Sequence, residues 1–189
     1  MTGQIALDLV EADKGSAVRS IDDVNVWLAR HRIRTVLPEG AYQPVRELLS
    51  AVRDVLEAAA RNRQPSTQAV NAVNSASVHA PTAPQLSWPA DGAPTVWHTT
   101  SSTPERHVQG LIAHSAIELV SLQGRDRLRM CESESCGRLF VTSNPRRRWC
   151  SSAICGNRER VRRHTARRRA TGSGTGRPGS APEAGAAPP

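Results

Sequence analysis

The chain has 189 residues, 38% of them hydrophobic, and carries a formal net charge of +8 with a pI near 10.8. That length suits one ordinary domain and a small appendage, and no stretch approaches the roughly 18 apolar residues of a membrane span. The opening "MTGQIALDLVEADKG" lacks the basic flank of a targeting segment, so a cytoplasmic protein is expected, in which disulfides are disfavoured.

The short run "IALDLV" (5–10) alternates in part and reads as a strand or the first turn of a helix. "SIDDVNVWLARHRI" predicts a helix capped by Ser20, with Ile21, Val24, Trp27 and Leu28 at helical spacing. "YQPVRELLSAVRDVLEAAARNR" is the clearest helix. Val45, Leu48, Leu49, Val52, Leu56 and Ala59 form one apolar stripe, and Pro44 is tolerated near its start. "STQAVNAVNSAS" after Pro65 gives a weaker helical pattern. "QLSWPADGAPTVWHT" holds two short β-prone runs around Asp91 and Gly92, a hairpin signal whose prolines keep both strands short or at an edge.

A second strong helix follows in "TPERHVQGLIAHSAIELVSLQG". Thr103 caps it, Pro104 takes the first position, and Val108, Leu111, Ile112, Ser115, Leu119 and Leu122 face inward, with Gly124 as the expected stop. These pieces predict a helical N-terminal domain over 1–125 with a small β-hairpin, expected to be a ligand-sensing or regulatory region, so the fold class is mainly α (α+β). "TGSGTGRPGSAPEAGAAPP" (171–189) has no large apolar residue to offset its ordering entropy and reads as a disordered tail.

Charge is concentrated between the two. Residues 125–169 hold fourteen arginines against Asp126, Glu132, Glu134 and Glu159, a net of +10, which leaves about −2 for the rest of the chain. A cation at one end of a nearly neutral protein points to a polyanionic partner. All four cysteines lie in the same segment: Cys131, Cys136, Cys150 and Cys155, in the pattern C-x4-C-x13-C-x4-C. Two close pairs joined by a short connection suit one tetrahedral, structural Zn²⁺ held by four thiolates. Two disulfides, or a redox thiol, are the other readings of these residues. Leu139, Phe140 and Val141, then Ser143, Asn144 and Pro145, then Trp149, predict a small hairpin that folds the second pair onto the first. Gly137 stands where a turn needs positive φ. The metal supplies the folding energy that so polar a segment lacks, and Arg138, Arg148 or Arg158 would offset the formal −2 of a Zn(Cys)4 site.

Cys155, Gly156, Asn157 and Arg158 spell C-G-N-R, and "RRRWCSSAICGNRERVRRH" resembles the CGNR zinc-finger family of the stress-induced transcription-regulator type. Weaker likeness extends upstream through "IALDLV", "VWLARHRI", "VRELLSAVRDVLEA" and "LIAHSAIELV", so that it covers about residues 4–169. The resemblance implies a treble-clef-like, DNA-binding finger of knuckle, hairpin and helix over 126–170. One departure is that "FVTSNPRRRWC" lacks an aspartate common after the first strand of such hairpins.

Candidate nucleic-acid-binding residues are Arg146, Arg147 and Arg148, and on the helix Arg158, Arg160, Arg162, Arg163 and Arg167. Arginine grips phosphate and reads guanine in the major groove, so duplex DNA is the expected partner of a regulator that is nucleoid-associated when bound. RNA remains open, although only Phe140 and Trp149 could stack bases in the finger. A finger docking on an acidic protein is the alternative of a different class. No HExxH, phosphate-binding glycine loop or persuasive carboxylate pair marks an enzyme. Trp27, Tyr42, Trp88, Trp97 and His98 could line a small-molecule effector pocket or serve as packing residues, and the apolar helix faces offer a surface for a homodimer.

Overall fold

The computed structural model describes residues 4–15, 17–99 and 101–172; residues 173–189 of the expected tail lie outside the described residues. Two compact units divide the chain, Met1–Cys150 and Ser151–Pro189.

In the first unit, α1 (Ile5–Lys14) is a helix. Ala6, Leu7, Leu9 and Val10 are buried, a helical rather than alternating pattern, which settles the ambiguity of "IALDLV". Gln4 makes no side-chain cap. The N-terminus of α1 is instead satisfied from far along the chain, where Ser115 Oγ accepts the Ala6 N–H at 3.0 Å. Helix α2 (Ile21–Arg30) has the expected Ser20 cap, completed by Asp23 into a capping box, and buries Ile21, Val24, Trp27 and Leu28. After it, Arg32 takes φ +59°, and the Asn25 side chain holds both the N–H and the C=O of Leu37.

Helix α3 (Tyr42–Ala60) is the central element. Its expected stripe is buried from Val45 to Leu56, Ala59 is half-buried, and Val55 joins them. Helix α4 (Thr67–Val78) is capped by Ser66, and α5 (Pro104–Val120) by Thr103 with Pro104 at its start. On α5, Val108, Ile112, Ser115 and Leu119 are buried and Leu111 is half-buried; the Leu122 side chain is outside the described residues. The expected stop at Gly124 is corrected. The helix breaks at Ser121, whose ψ is 163° and whose hydroxyl donates to Glu118 O, and one further turn, α6 (Leu122–Arg125), follows.

Helices α1, α3 and α5 pack on one another, with α4 against α3 and α5. Gly110 permits α5 to approach the chain just after α4, since a Cβ there would stand 2.3 Å from Ala80 Cβ. Strands β1 (Ala83–Ser87) and β2 (Thr95–Thr99) form the expected hairpin as a separate two-stranded antiparallel sheet.

A second hairpin pairs β3 (Leu128–Met130) with β4 (Leu139–Val141). This corrects the pairing expected for Leu139, Phe140 and Val141. Their partner lies upstream of Cys131 instead of among residues 147–149, because Leu128 and Leu139 are both apolar and both reach the helical core, at 1% and 3% exposure. The change of charge near Gly124 is therefore not a packing boundary: apolar burial continues through β3 and β4. Residues 142–150 turn back through Thr142 and Asn144 and not as a strand, with the Asn144 carboxamide oxygen accepting the Arg146 N–H.

The second unit begins with a π turn (Ser152–Gly156) and continues as α7 (Asn157–Gly172). The helix thus starts two residues after Cys155. Ser151 caps the turn, its Oγ accepting the Ile154 N–H at 3.2 Å. No helix among the described residues is long and apolar enough to cross a membrane.

Candidate metal centre and nucleic-acid interface

The loop between β3 and β4 is a knuckle that presents two sulfurs. Cys131 N–H donates to Arg138 O at 2.8 Å, and Cys136 N–H to Ser133 O at 2.9 Å, closing a tight turn. Gly137 follows with φ +57°, the left-handed conformation anticipated for it. The returning segment lies alongside: Glu132 N–H donates to Arg148 O at 3.0 Å, and the Arg148 guanidinium pairs with the Glu132 carboxylate at 2.5 Å. This fold-back brings Cys150 to Cys136, with their sulfurs 3.7 Å apart.

That separation speaks against a Cys136–Cys150 disulfide. A disulfide would place the sulfurs about 2.05 Å apart, whereas Zn–S bonds of about 2.3 Å at tetrahedral angles give edges of about 3.8 Å. None of the four cysteines is in a disulfide, and their four sulfurs lie within 4.8 Å of one another. Cys131 and Cys155 are buried; Cys136 and Cys150 are half-buried. Burial by itself would push the Cys131 thiol up. Hydrogen bonds from the Cys150 and Ser133 backbone, and from the Cys136 and Cys150 thiols, outweigh it and hold the group below its ordinary range, toward the thiolate that binds metal. Four sulfur donors without a carboxylate or histidine among them make a closed, structural site for one Zn²⁺.

Comparison with known families agrees with this geometry. The CGNR zinc finger family model matches residues 127–168, and the ABATE model, described as "Putative stress-induced transcription regulator", matches residues 3–122. The chain belongs to the ABATE family. No curated protein gives a significant match.

The ABATE segment supplies contacts to the CGNR knuckle that the cysteine spacing does not reveal. Glu11 on α1 accepts the Leu139 N–H at 2.9 Å and pairs with Arg138 at 3.3 Å, while Lys14 Nζ donates to Gly137 O at 2.7 Å. Arg138, expected to offset the zinc charge, is thus engaged with Glu11, and Arg148 with Glu132. Arg147 has a role that sequence reasoning missed. Its guanidinium donates to Trp149 O and Cys150 O and lies 5.1 Å from the Phe140 ring centroid. Phe140 is buried, whereas Trp149 is half-buried, with Arg148 over its ring.

The candidate arginines Arg146, Arg147 and Arg148 are all exposed, as are Arg158, Arg160, Arg162, Arg163 and Arg167 on α7 of the CGNR finger. Glu159, 7% exposed, tempers the repulsion among them. Its carboxylate accepts from Arg162 at 2.9 Å, and its backbone oxygen accepts from Arg163 at 3.2 Å. Arg160 donates to Asn157 Oδ1 at 3.3 Å, so the asparagine of C-G-N-R orients one of the helix cations.

The candidate effector residues of the ABATE segment are dispersed. Trp27 is buried and stacks on His31 at 4.0 Å, and Tyr42 is half-buried beneath Arg46. Trp88, Trp97 and His98 are exposed. A groove of about 570 Å³ bordered by α3 and α4 involves none of the five; Leu48, Asp54, Ser75, His79 and Gln109 line it.

Proposed function

We propose that this ABATE-family protein is a cytoplasmic, DNA-binding transcriptional regulator, nucleoid-associated when bound, that acts by binding and not by catalysis. The observation that supports this reading is the run of exposed arginines on α7, which begins directly after the zinc-ligating turn. Zinc fixes where the helix starts. The helix then presents Arg158, Arg162, Arg163 and Arg167 to the duplex, and Arg146, Arg147 and Arg148 grip phosphates. Arginine serves both tasks, as a phosphate clamp and as a bidentate reader of guanine. The groove between α3 and α4 is the better place in the ABATE segment for a small-molecule effector, because the aromatic residues do not converge.

The test is selection from random duplexes, followed by salt titration of the wild type and single Arg→Ala variants. If about six phosphates are neutralised, log K should fall with log salt at a slope near −5. A phosphate-contact variant should weaken all sequences alike and flatten the slope by about one unit. A base-reading variant should cost about 1–3 kcal/mol on the preferred site and relax specificity there. If no sequence is enriched and an acidic protein, RNA or heparin competes as well as any duplex, the finger is a protein- or RNA-interaction module.

A further inference from the structure

The β1–β2 ribbon is anomalous for a surface element. All of β1 and four of the five residues of β2 are exposed, and the ribbon forms its own two-stranded sheet. Isolated two-stranded hairpins are at best marginally stable in water. Leu86, Trp88, Val96 and Trp97 are each more than half exposed, a large apolar load for so small an element. Soluble proteins usually blunt such edges with charge or proline. Here Pro84 interrupts β1, but β2, Thr95-Val96-Trp97-His98-Thr99, has neither proline nor a formal charge. Between Arg63 and Glu105 the only Asp, Glu, Lys or Arg is Asp91.

These features select the occupant. A nucleic acid or an acidic protein would call for cations at this edge, and a basic protein would call for carboxylates. A chain with net charge +8 can approach a copy of itself most readily through a region that carries almost no charge. Antiparallel pairing of β2 with the β2 of a second copy is isologous, since residue i meets j while j meets i.

We propose that β2 pairs antiparallel with β2 of a second copy about a two-fold axis at Trp97, forming a four-stranded sheet in the order β1–β2–β2–β1. In this register Trp97 faces Trp97, Val96 faces His98 and Thr95 faces Thr99. The free β2 edge gains backbone hydrogen bonds, and the two indoles gain a cross-strand aromatic contact. Leu86 and Val96, already cross-strand partners within one copy, then lie in one row with His98 and Pro84 of the second copy.

Sedimentation equilibrium of the full, zinc-loaded chain without nucleic acid tests this, so the outcome is independent of the DNA reading. The wild type should be a reversible dimer at tens of micromolar. Trp97→Lys and Trp97→Glu should each weaken the dimer on the order of tenfold or more, because like charges would then face each other across the axis. Helical circular dichroism and zinc content should stay unchanged, since the side chain is exposed. Mixing the two variants should restore a dimer, because Lys then faces Glu. A wild type that stays monomeric, a dimer indifferent to both substitutions, or a mixture that fails to reassociate would each overturn the proposal.

Discussion

Glu11 and Leu139 are joined across 128 positions of sequence: the Glu11 carboxylate accepts the Leu139 N–H at 2.9 Å while its other oxygen pairs with Arg138. One side chain of α1 therefore helps to set the strand that follows the zinc knuckle. Glu11→Ala should destabilise the protein by about 1–3 kcal/mol, the usual penalty for leaving a desolvated donor unpaired. It should also lower zinc affinity. Thermal melting and competition with a metal chelator would check both effects, and Glu11→Gln should recover part of the loss because it retains an acceptor.

Ser115 should behave as a structural hydroxyl. It is 1% exposed and accepts the Ala6 N–H, which has no cap from its own helix. Ser115→Ala keeps the size but orphans that donor, so a loss of about 1–3 kcal/mol is expected in denaturant titration. Amide exchange should quicken first in α1.

Loss of the metal should reach beyond the finger. Replacing Cys131, Cys136, Cys150 or Cys155 by Ser should abolish stoichiometric zinc. It should also lower the melting temperature of the helical core, because Leu128 and Leu139, which flank the knuckle, are core residues. A fragment ending at Gly124 should stay helical but melt earlier than one ending at Cys150. Each lost leucine removes burial worth about 1.5–3 kcal/mol. Equal melting temperatures for the two fragments would refute the coupling.

His107 gives a pH signature. Burial holds its pKa below the ordinary 6.5, and its Nδ1 is buried without a hydrogen-bond partner. Between the folded value and 6.5 the unfolded chain binds more protons than the folded one, so stability rises with pH across that window. The contribution is complete above 6.5 and is lost as pH falls toward the folded value. His107→Gln should flatten this part of the stability–pH curve.

Periodicity made the helices legible, because Val45, Leu48, Leu49, Val52 and Leu56 on α3 report one buried stripe whatever packs against it. Ser20, Ser66 and Thr103 were readable or consistent as caps because capping is local chemistry. The cysteine spacing gave the zinc ligands for the same reason. Long-range relations were not legible. Nothing in the sequence near Ser115 names Ala6, and nothing near Glu11 names Leu139. The partner of β4 was misjudged because residues 147–149 lie close in sequence, while β3 wins through the burial of Leu128. Arg32 at φ +59° shows a similar limit, since neighbouring structure imposed a conformation its residue type does not favour.

The dependence of α1 on distant partners bears on biosynthesis. This helix is made well before its partners, and Ser115 and Leu139 must both emerge before its contacts are complete. At about 5–20 residues per second, the 128 positions from Glu11 to Leu139 take on the order of ten seconds to translate. The apolar face of α1 gains α3 and α5 before then, but for that interval the Glu11 carboxylate lacks the Leu139 N–H and Arg138. A slow stretch of codons before Leu139 would lengthen this wait, whereas one after Cys155 would come too late to affect it.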